Sequence, residues 1–331
     1  MTSPSLISEP LPRTVPRHQS RLQQLGVPAL LFAITLVSTT TVGMRYMYNF
    51  RLGRPPLATS ADADILPFLW GFHNLSGMAS GLPFSTTLIA ILLAHEFGHF
   101  FACRHYHVRS TLPYLLPAPS LSGTFGAVIR LRSMILSRAA LIVIGSSGPI
   151  AGFCVALVAV VLGLGWSTYS IGPQVHVQAP LAVSAIHALL QTLHWPGDGG
   201  ALPLIVPHPV LSAAWIGLLI TALNLIPAGQ LDGGHILYAV SPVSHRWSSR
   251  VVVATLMTLG VFFWAGWLLW GVILMMPAMR HPRVPDMADI KTWHYALIPI
   301  CAFILLFAGT YQPFHGYSVL DILHKLPHRY R

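Results

Sequence analysis

Three residues within one apolar run could do chemistry together: His95, Glu96 and His99, in Leu93-Ala94-His95-Glu96-Phe97-Gly98-His99-Phe100. A spacing of four sets both imidazoles on one face of a helix, one turn apart. Two neutral imidazoles so spaced bind Zn²⁺, and the glutamate between them is free to take a proton from a zinc-bound water. The chain has two glutamates, Glu9 in a polar N-terminal stretch and Glu96 here. A carboxyl inside an apolar segment is costly, so a functional role is the expectation for Glu96. The bland alternative is a helix with two hydrogen-bonded core histidines, and a third ligand would decide between them.

The elements that carry this trio belong to a membrane. Hydrophobic residues make up 54% of the 331 and charged residues 8%, a balance that excludes an ordinary soluble domain of this length. The net charge of +10 could suggest nucleic acid, yet the basic residues stand singly at the ends of apolar runs, where they face lipid head groups and set orientation. Cys103, Cys154 and Cys301 have no C-x-x-C spacing, so neither a disulfide framework nor a cysteine zinc site is indicated.

The pattern predicts an all-α polytopic membrane protein of about six transmembrane helices, with a re-entrant β-hairpin next to the active-site helix. Residues 1–26 read as a disordered cytoplasmic tail, 27–311 as one membrane-embedded domain with its core at 84–275, and 312–331 as a cytoplasmic C-terminal tail. Spans are expected over 27–44, 83–104, 139–164, 208–226, 251–276 and 296–311, with a short interfacial helix over 63–79 and an amphipathic piece over 181–194. Between the second and third spans, Pro113, Pro117 and Pro119 forbid a helix, while Phe125 to Leu131 reads as a strand. Apolar but non-helical backbone is tolerated at membrane depth where it packs against protein or lines a wet cavity, hence the re-entrant hairpin. Six spans put both termini on one side. With Arg45, Arg51, Arg54, Arg280, Arg283 and Lys291 outside and the remaining basic residues inside, that side is cytoplasmic.

This topology brings a third group to the pair. The second and fourth spans run in the same direction, so His95, His99 and Asp232, just past the end of the fourth, fall at similar depth. Asp232 is therefore the expected third zinc ligand, leaving a fourth tetrahedral position for water. The competing role for Asp232 is a cap on the helix that follows Gly233.

The two motifs, His95-Glu96-Phe97-Gly98-His99 and Asn224-x-x-Pro227-x-x-x-Leu231-Asp232-Gly233, resemble those of the site-2 protease family, intramembrane zinc metalloproteases of the M50 type. Gly123-Thr124-Phe125-Gly126 and Gly148-Pro149-Ile150-Ala151-Gly152 are similar to the branch shared by bacterial and plastid members, here without a PDZ-like insertion. The resemblance implies one Zn²⁺ per chain on His95, His99 and Asp232, Glu96 as general base, and Asn224 as a polar group near the substrate carbonyl. It also implies cleavage within or near transmembrane segments of single-pass membrane proteins, in the lipid of a bacterial inner (plasma) membrane. Nucleic acid is not among the expected partners.

A helical peptide bond is shielded, so a substrate must be unwound, and an extended segment can add as a strand to an open hairpin edge. That gives the stretch from Leu112 to Arg130 a role, with Gly123, Thr124, Phe125 and Gly126 binding substrate backbone; the alternative is a hairpin that only fills a gap. Competing functions are a catalytically inactive zinc-binding scaffold and a zinc transporter. His105 and His107 read as solvated, and His235 as either close to the metal site or on a helix surface. His73, His176, His187, His194, His208, His281, His294 and His315 are expected at outer or interfacial positions. Trp264, Trp267 and Trp270 are expected as a packing or lipid-facing stripe.

Overall fold

A computed structural model describes residues 21–56, 71, 74–135, 137–169, 179–194, 201–202, 205–284, 290–313 and 318–325. The chain is a mostly helical membrane protein with few strands. Three helices are long and apolar enough to cross a membrane: α1 (Arg21–Arg51), α2 (Leu82–His105) and α3 (Arg138–Gly165). Shorter apolar helices accompany them: α4 (Leu181–Thr192), α5 (Pro209–Asn224), α8 (Gly266–Met275) and α9 (Thr292–Ala308). Helices α6 (Asp232–Val240), α7 (Pro242–Phe262) and α10 (Val319–Lys325) complete the set. Strands β1 (Tyr114–Pro117) and β2 (Thr124–Val128) form one antiparallel hairpin, and the two-residue strands β3 (Thr168–Tyr169) and β4 (Ile205–Val206) pair after α3.

The ends of these helices follow local chemistry. Pro83 occupies the first turn of α2, where its missing N–H costs nothing, and the helix stops where His107 turns left-handed (φ 55°). Ser137 caps α3 by accepting from the Ala140 N–H, and α5 opens on Pro209. The centre of the protein is the packing of α2, α3 and α5, whose shared core includes Ile91, Phe153, Ala156, Val160, Ala214 and Leu218. Small residues let these helices approach closely. A Cβ at Gly98 of α2 would sit 2.5 Å from the Ser147 carbonyl of α3.

Several expectations need correction. Helix α1 begins by Arg21, inside the stretch read as a tail through residue 26. The span expected over 251–276 is two helices. They break at Phe263–Ala265 and fold back antiparallel, Gly260 against Leu268 and Gly271 against Met257. The following segment thus returns to the Asp232 turn: the Gln230 amide donates to the carbonyls of Ala278 (2.6 Å) and Arg280 (2.8 Å). Lys291 also lies on the side expected to be inner, because His294 bonds both its carbonyl and Tyr106, the residue that ends α2. Arg280 and Lys291 therefore lie by the Asp232 turn and the end of α2, not across the helices from them as expected. The tail through residue 20, most of the 63–79 interfacial helix, and His73, His176 and His315 lie outside the described residues.

Candidate metal centre

Helix α2 presents His95, Glu96 and His99, all buried, toward α3 and the start of α6. The Nε2 atoms of His95 and His99 are 3.1 Å apart, and Asp232 Oδ2 is 3.1 Å from the first and 3.3 Å from the second. Among the described residues this is the only trio of such side chains whose donor atoms gather closely enough to hold a metal ion. A tetrahedral ion with bonds of about 2.0–2.1 Å has ligand-to-ligand edges of about 3.3 Å, which these separations match.

Hydrogen-bond chemistry says why a cation belongs there. His99 Nδ1 is 2.6 Å from the Ile144 carbonyl, which only accepts, so Nδ1 carries the proton and a neutral ring turns a bare Nε2 lone pair inward. That lone pair meets an imidazole nitrogen and a carboxylate oxygen, three acceptors converging with only the Asn224 amide, 3.4 Å from His95 Nε2, as a neutral donor beside them. Asp232 is the first residue of α6, one past its N-cap Leu231, and its Oδ2 is turned to the two histidines.

Two glycines of α3 form the floor. A Cβ at Gly148 would lie 2.5 Å from both Cδ2 and Cε1 of His99, and one at Gly152 would lie 3.1 Å from His95 Cβ. The four-residue spacing of the histidines on α2 is met by the four-residue spacing of the glycines on α3. Helix α5 supplies the side wall: Asn224 Nδ2 is 3.4 Å from His95 Nε2.

The hairpin lies beside this group, and its two ends differ. Gly123 (φ +78°) is held against α1, where Ser38 donates to its carbonyl at 2.7 Å, and the buried Thr124 hydroxyl bonds Leu116. Phe125 projects outward, 69% exposed at a bulge in β2, and the notch at Gly126 is open. Further along, the Thr111 N–H donates to the Arg130 carbonyl and the Arg132 N–H to that of Arg109, so Arg130 and Arg132 face the 109–111 segment that leads into β1. By alternation Ala127, Ile129 and Leu131 turn their backbone groups to the open edge, and the Ile129 N–H is directed at the Glu96 carboxyl.

Sequence reasoning missed three neighbours: the Ile144 carbonyl, Thr221 and His281. A carbonyl partner leaves no residue-type signal, and Thr221 is one more hydroxyl in an apolar helix. His281 was expected at an outer or interfacial position, but it stacks on Tyr238 (3.8 Å between centroids) and, with its Nδ1 donating to the Pro282 carbonyl, accepts from His235 Nδ1 at 2.8 Å. Burial, aided by His281, lowers His235 to about 4, so both rings are neutral near pH 7. His105 and His107 are exposed, as expected. Trp267 is a core residue whose indole donates to the Tyr311 carbonyl at 2.7 Å.

A buried His–His–carboxylate group on packed apolar helices, with a glutamate one residue from the first ligand candidate, is the arrangement of a membrane metallopeptidase. The profile of peptidase family M50 matches residues 83–266, more than half the chain, and the protein belongs to that family. It is 29% identical over 317 residues to the probable zinc metalloprotease EGY1, chloroplastic, of rice, covering 91% of this chain and 51% of the relative. Its likeness to the Arabidopsis thaliana protein of the same name is 28% over 317 residues, covering 91% and 54%. The chain thus spans about half the length of these curated relatives.

Proposed function

We propose that the chain is an intramembrane zinc metalloprotease that hydrolyses peptide bonds within or near transmembrane segments of single-pass membrane proteins. The observation that carries this is the buried convergence of His95, His99 and Asp232 with Glu96 beside an open strand edge. His95, His99 and Asp232 hold one zinc ion per chain, in keeping with the zinc in the relatives' names. The chemistry such an ion supplies is Lewis acidity toward a water and a peptide carbonyl. Glu96 takes the proton of the attacking water and returns it to the leaving amine, and the Asn224 amide donates to the carbonyl oxygen as charge develops there.

The hairpin presents the substrate. Strongly exposed apolar side chains, Phe125 at 69% and Met134 at 67%, support a re-entrant position in lipid. An unwound substrate pairs along β2 through the outward backbone groups of Ala127 and the carbonyl of Ile129, with Phe125 and Gly126 on the open side and Gly123 and Thr124 anchoring the loop. Because Ile129 neighbours Glu96, a strand added there runs past the base.

Residues 27–311 then form one membrane-embedded unit. The fold-back of α7 on α8 brings Arg280, Arg283 and Lys291 to the side of Asp232, so that α9 starts from that side and the segment after it falls on the opposite one. The relatives named chloroplastic favour a plastid membrane over a bacterial inner membrane. Zinc content tests the ligand set: purified wild-type protein should carry one zinc, and His95→Ala or Asp232→Ala should lose it. Full occupancy in Asp232→Ala would remove that residue from the site.

A further inference from the structure

The two imidazoles of the centre differ at their outer nitrogens. His99 gives its Nδ1 proton to the Ile144 carbonyl at 2.6 Å, which fixes the tautomer that faces Nε2 inward. His95 must hold the same tautomer for its own Nε2 to face Asp232, yet His95 Nδ1 is buried and has no hydrogen-bond partner. A ligating histidine almost always donates its second N–H to an oxygen, and the ring loses basicity and aim without that bond.

We infer that Thr221 is the positioning residue for His95, its hydroxyl oxygen accepting the Nδ1 proton directly or through one water in the notch left by Gly152. The two atoms border the same space: a Cβ at Gly152 would stand 3.3 Å from His95 Nδ1 and 3.5 Å from Thr221 Oγ1. Thr221 is 1% exposed, so no bulk water competes for its hydroxyl. Its own proton goes to the Gly217 carbonyl at 2.9 Å, which turns oxygen lone pairs, not a second donor, toward the ring. One turn further along α5, Asn224 reaches the other nitrogen, Nε2, at 3.4 Å. Thr221 and Asn224, three residues apart on one helical face, therefore border the His95 ring on its two nitrogen sides. Gly152 is then more than a close-packing residue, since any side chain there would fill the path between ring and hydroxyl.

The inference rests on the zinc reading of His95, and its test reads metal affinity instead of proteolysis. Zinc affinity of the purified full-length chain is measured by competition with a chromophoric chelator for wild type, Thr221→Val and Thr221→Ser, with the melting temperature of the metal-free protein alongside. Thr221→Val, equal in shape but without an acceptor, should bind zinc about ten- to a hundredfold more weakly. Thr221→Ser should stay within about threefold of wild type, and metal-free melting should be unchanged in both. If Thr221→Val does not fold, Thr221→Ala takes its place with the same expected loss relative to serine. Wild-type affinity in the valine or alanine variant, or a serine variant as weak as either, overturns the role of Thr221. A wild-type chain that binds no zinc overturns the zinc reading as well.

Discussion

Gly148→Ala is a one-methyl perturbation aimed at the metal centre from behind. The new Cβ would lie 2.5 Å from two ring carbons of His99, where carbon atoms rest at about 3.5–4.0 Å, so ring and helix must separate by about 1 Å. The ring cannot simply turn away, because its Nδ1 is pinned to the Ile144 carbonyl at 2.6 Å on the same helix α3. Metal–ligand distances tolerate about 0.2 Å, several times less than that displacement. Losing one of three protein ligands should therefore cost more than the tenfold to hundredfold typical of losing a ligand's supporting bond. The assay is zinc bound per chain after equilibration with a chelator, with helix content by circular dichroism as the control for folding. Gly152→Ala is the matched comparison, since its Cβ meets His95 Cβ at 3.1 Å and asks only a few tenths of an ångström. Gly148→Ala should be nearly zinc-free and Gly152→Ala only weakened; equal affinity in Gly148→Ala and wild type would refute the glycine-floor reasoning.

Further expectations concern the hairpin and the 277–284 segment that returns to the Asp232 turn. Ala127→Pro removes a backbone N–H from the open edge and should cut cleavage at least tenfold with zinc retained, whereas Val128→Ile should change it less than twofold; normal cleavage by Ala127→Pro would end the strand-addition reading. Gln230→Ala deletes the bonds to the Ala278 and Arg280 carbonyls, worth about 0.5–1.5 kcal/mol each, and should speed hydrogen exchange across 277–284 without releasing zinc. Burial holds His281 below the usual histidine value of 6.5, so its neutral form is the folded one. The stability it contributes is present above that value and lost as pH falls through its lowered pKa. Exchange in the same segment, corrected for intrinsic rates, should rise on acidification, and His281→Phe, which keeps the stack on Tyr238, should flatten the rise.

What could be read from the sequence was what residue type and spacing encode. The four-residue repeat of His95 and His99 fixed one helical face, and the shared direction of two apolar runs brought Asp232 to their depth. The prolines at 113, 117 and 119 marked a non-helical insert, and the hairpin of β1 and β2 is where they forbade a helix. The fold-back of α7 on α8 was invisible because Val251 to Met276 is apolar throughout, and hydropathy has no signal for a break carried by Phe263, Trp264 and Ala265. That omission also misplaced Arg280 and Lys291, since sidedness is inherited from every span before it. The support for the histidines was hidden for a different reason. The Ile144 carbonyl belongs to every residue type, and the glycines at 148 and 152 read as close-packing residues until the histidines were seen above them.

The central claim separates binding metal from using it. Wild-type protein and Glu96→Gln, reconstituted in vesicles with a single-pass substrate carrying a Gly or Asn in its span, should bind equal zinc, while only wild type cleaves. The glutamine keeps size and hydrogen bonding but cannot accept the proton, so the expected loss is at least the hundredfold that general base catalysis supplies. Cleavage by Glu96→Gln at the wild-type rate, or zinc lost together with the carboxylate, would contradict the account.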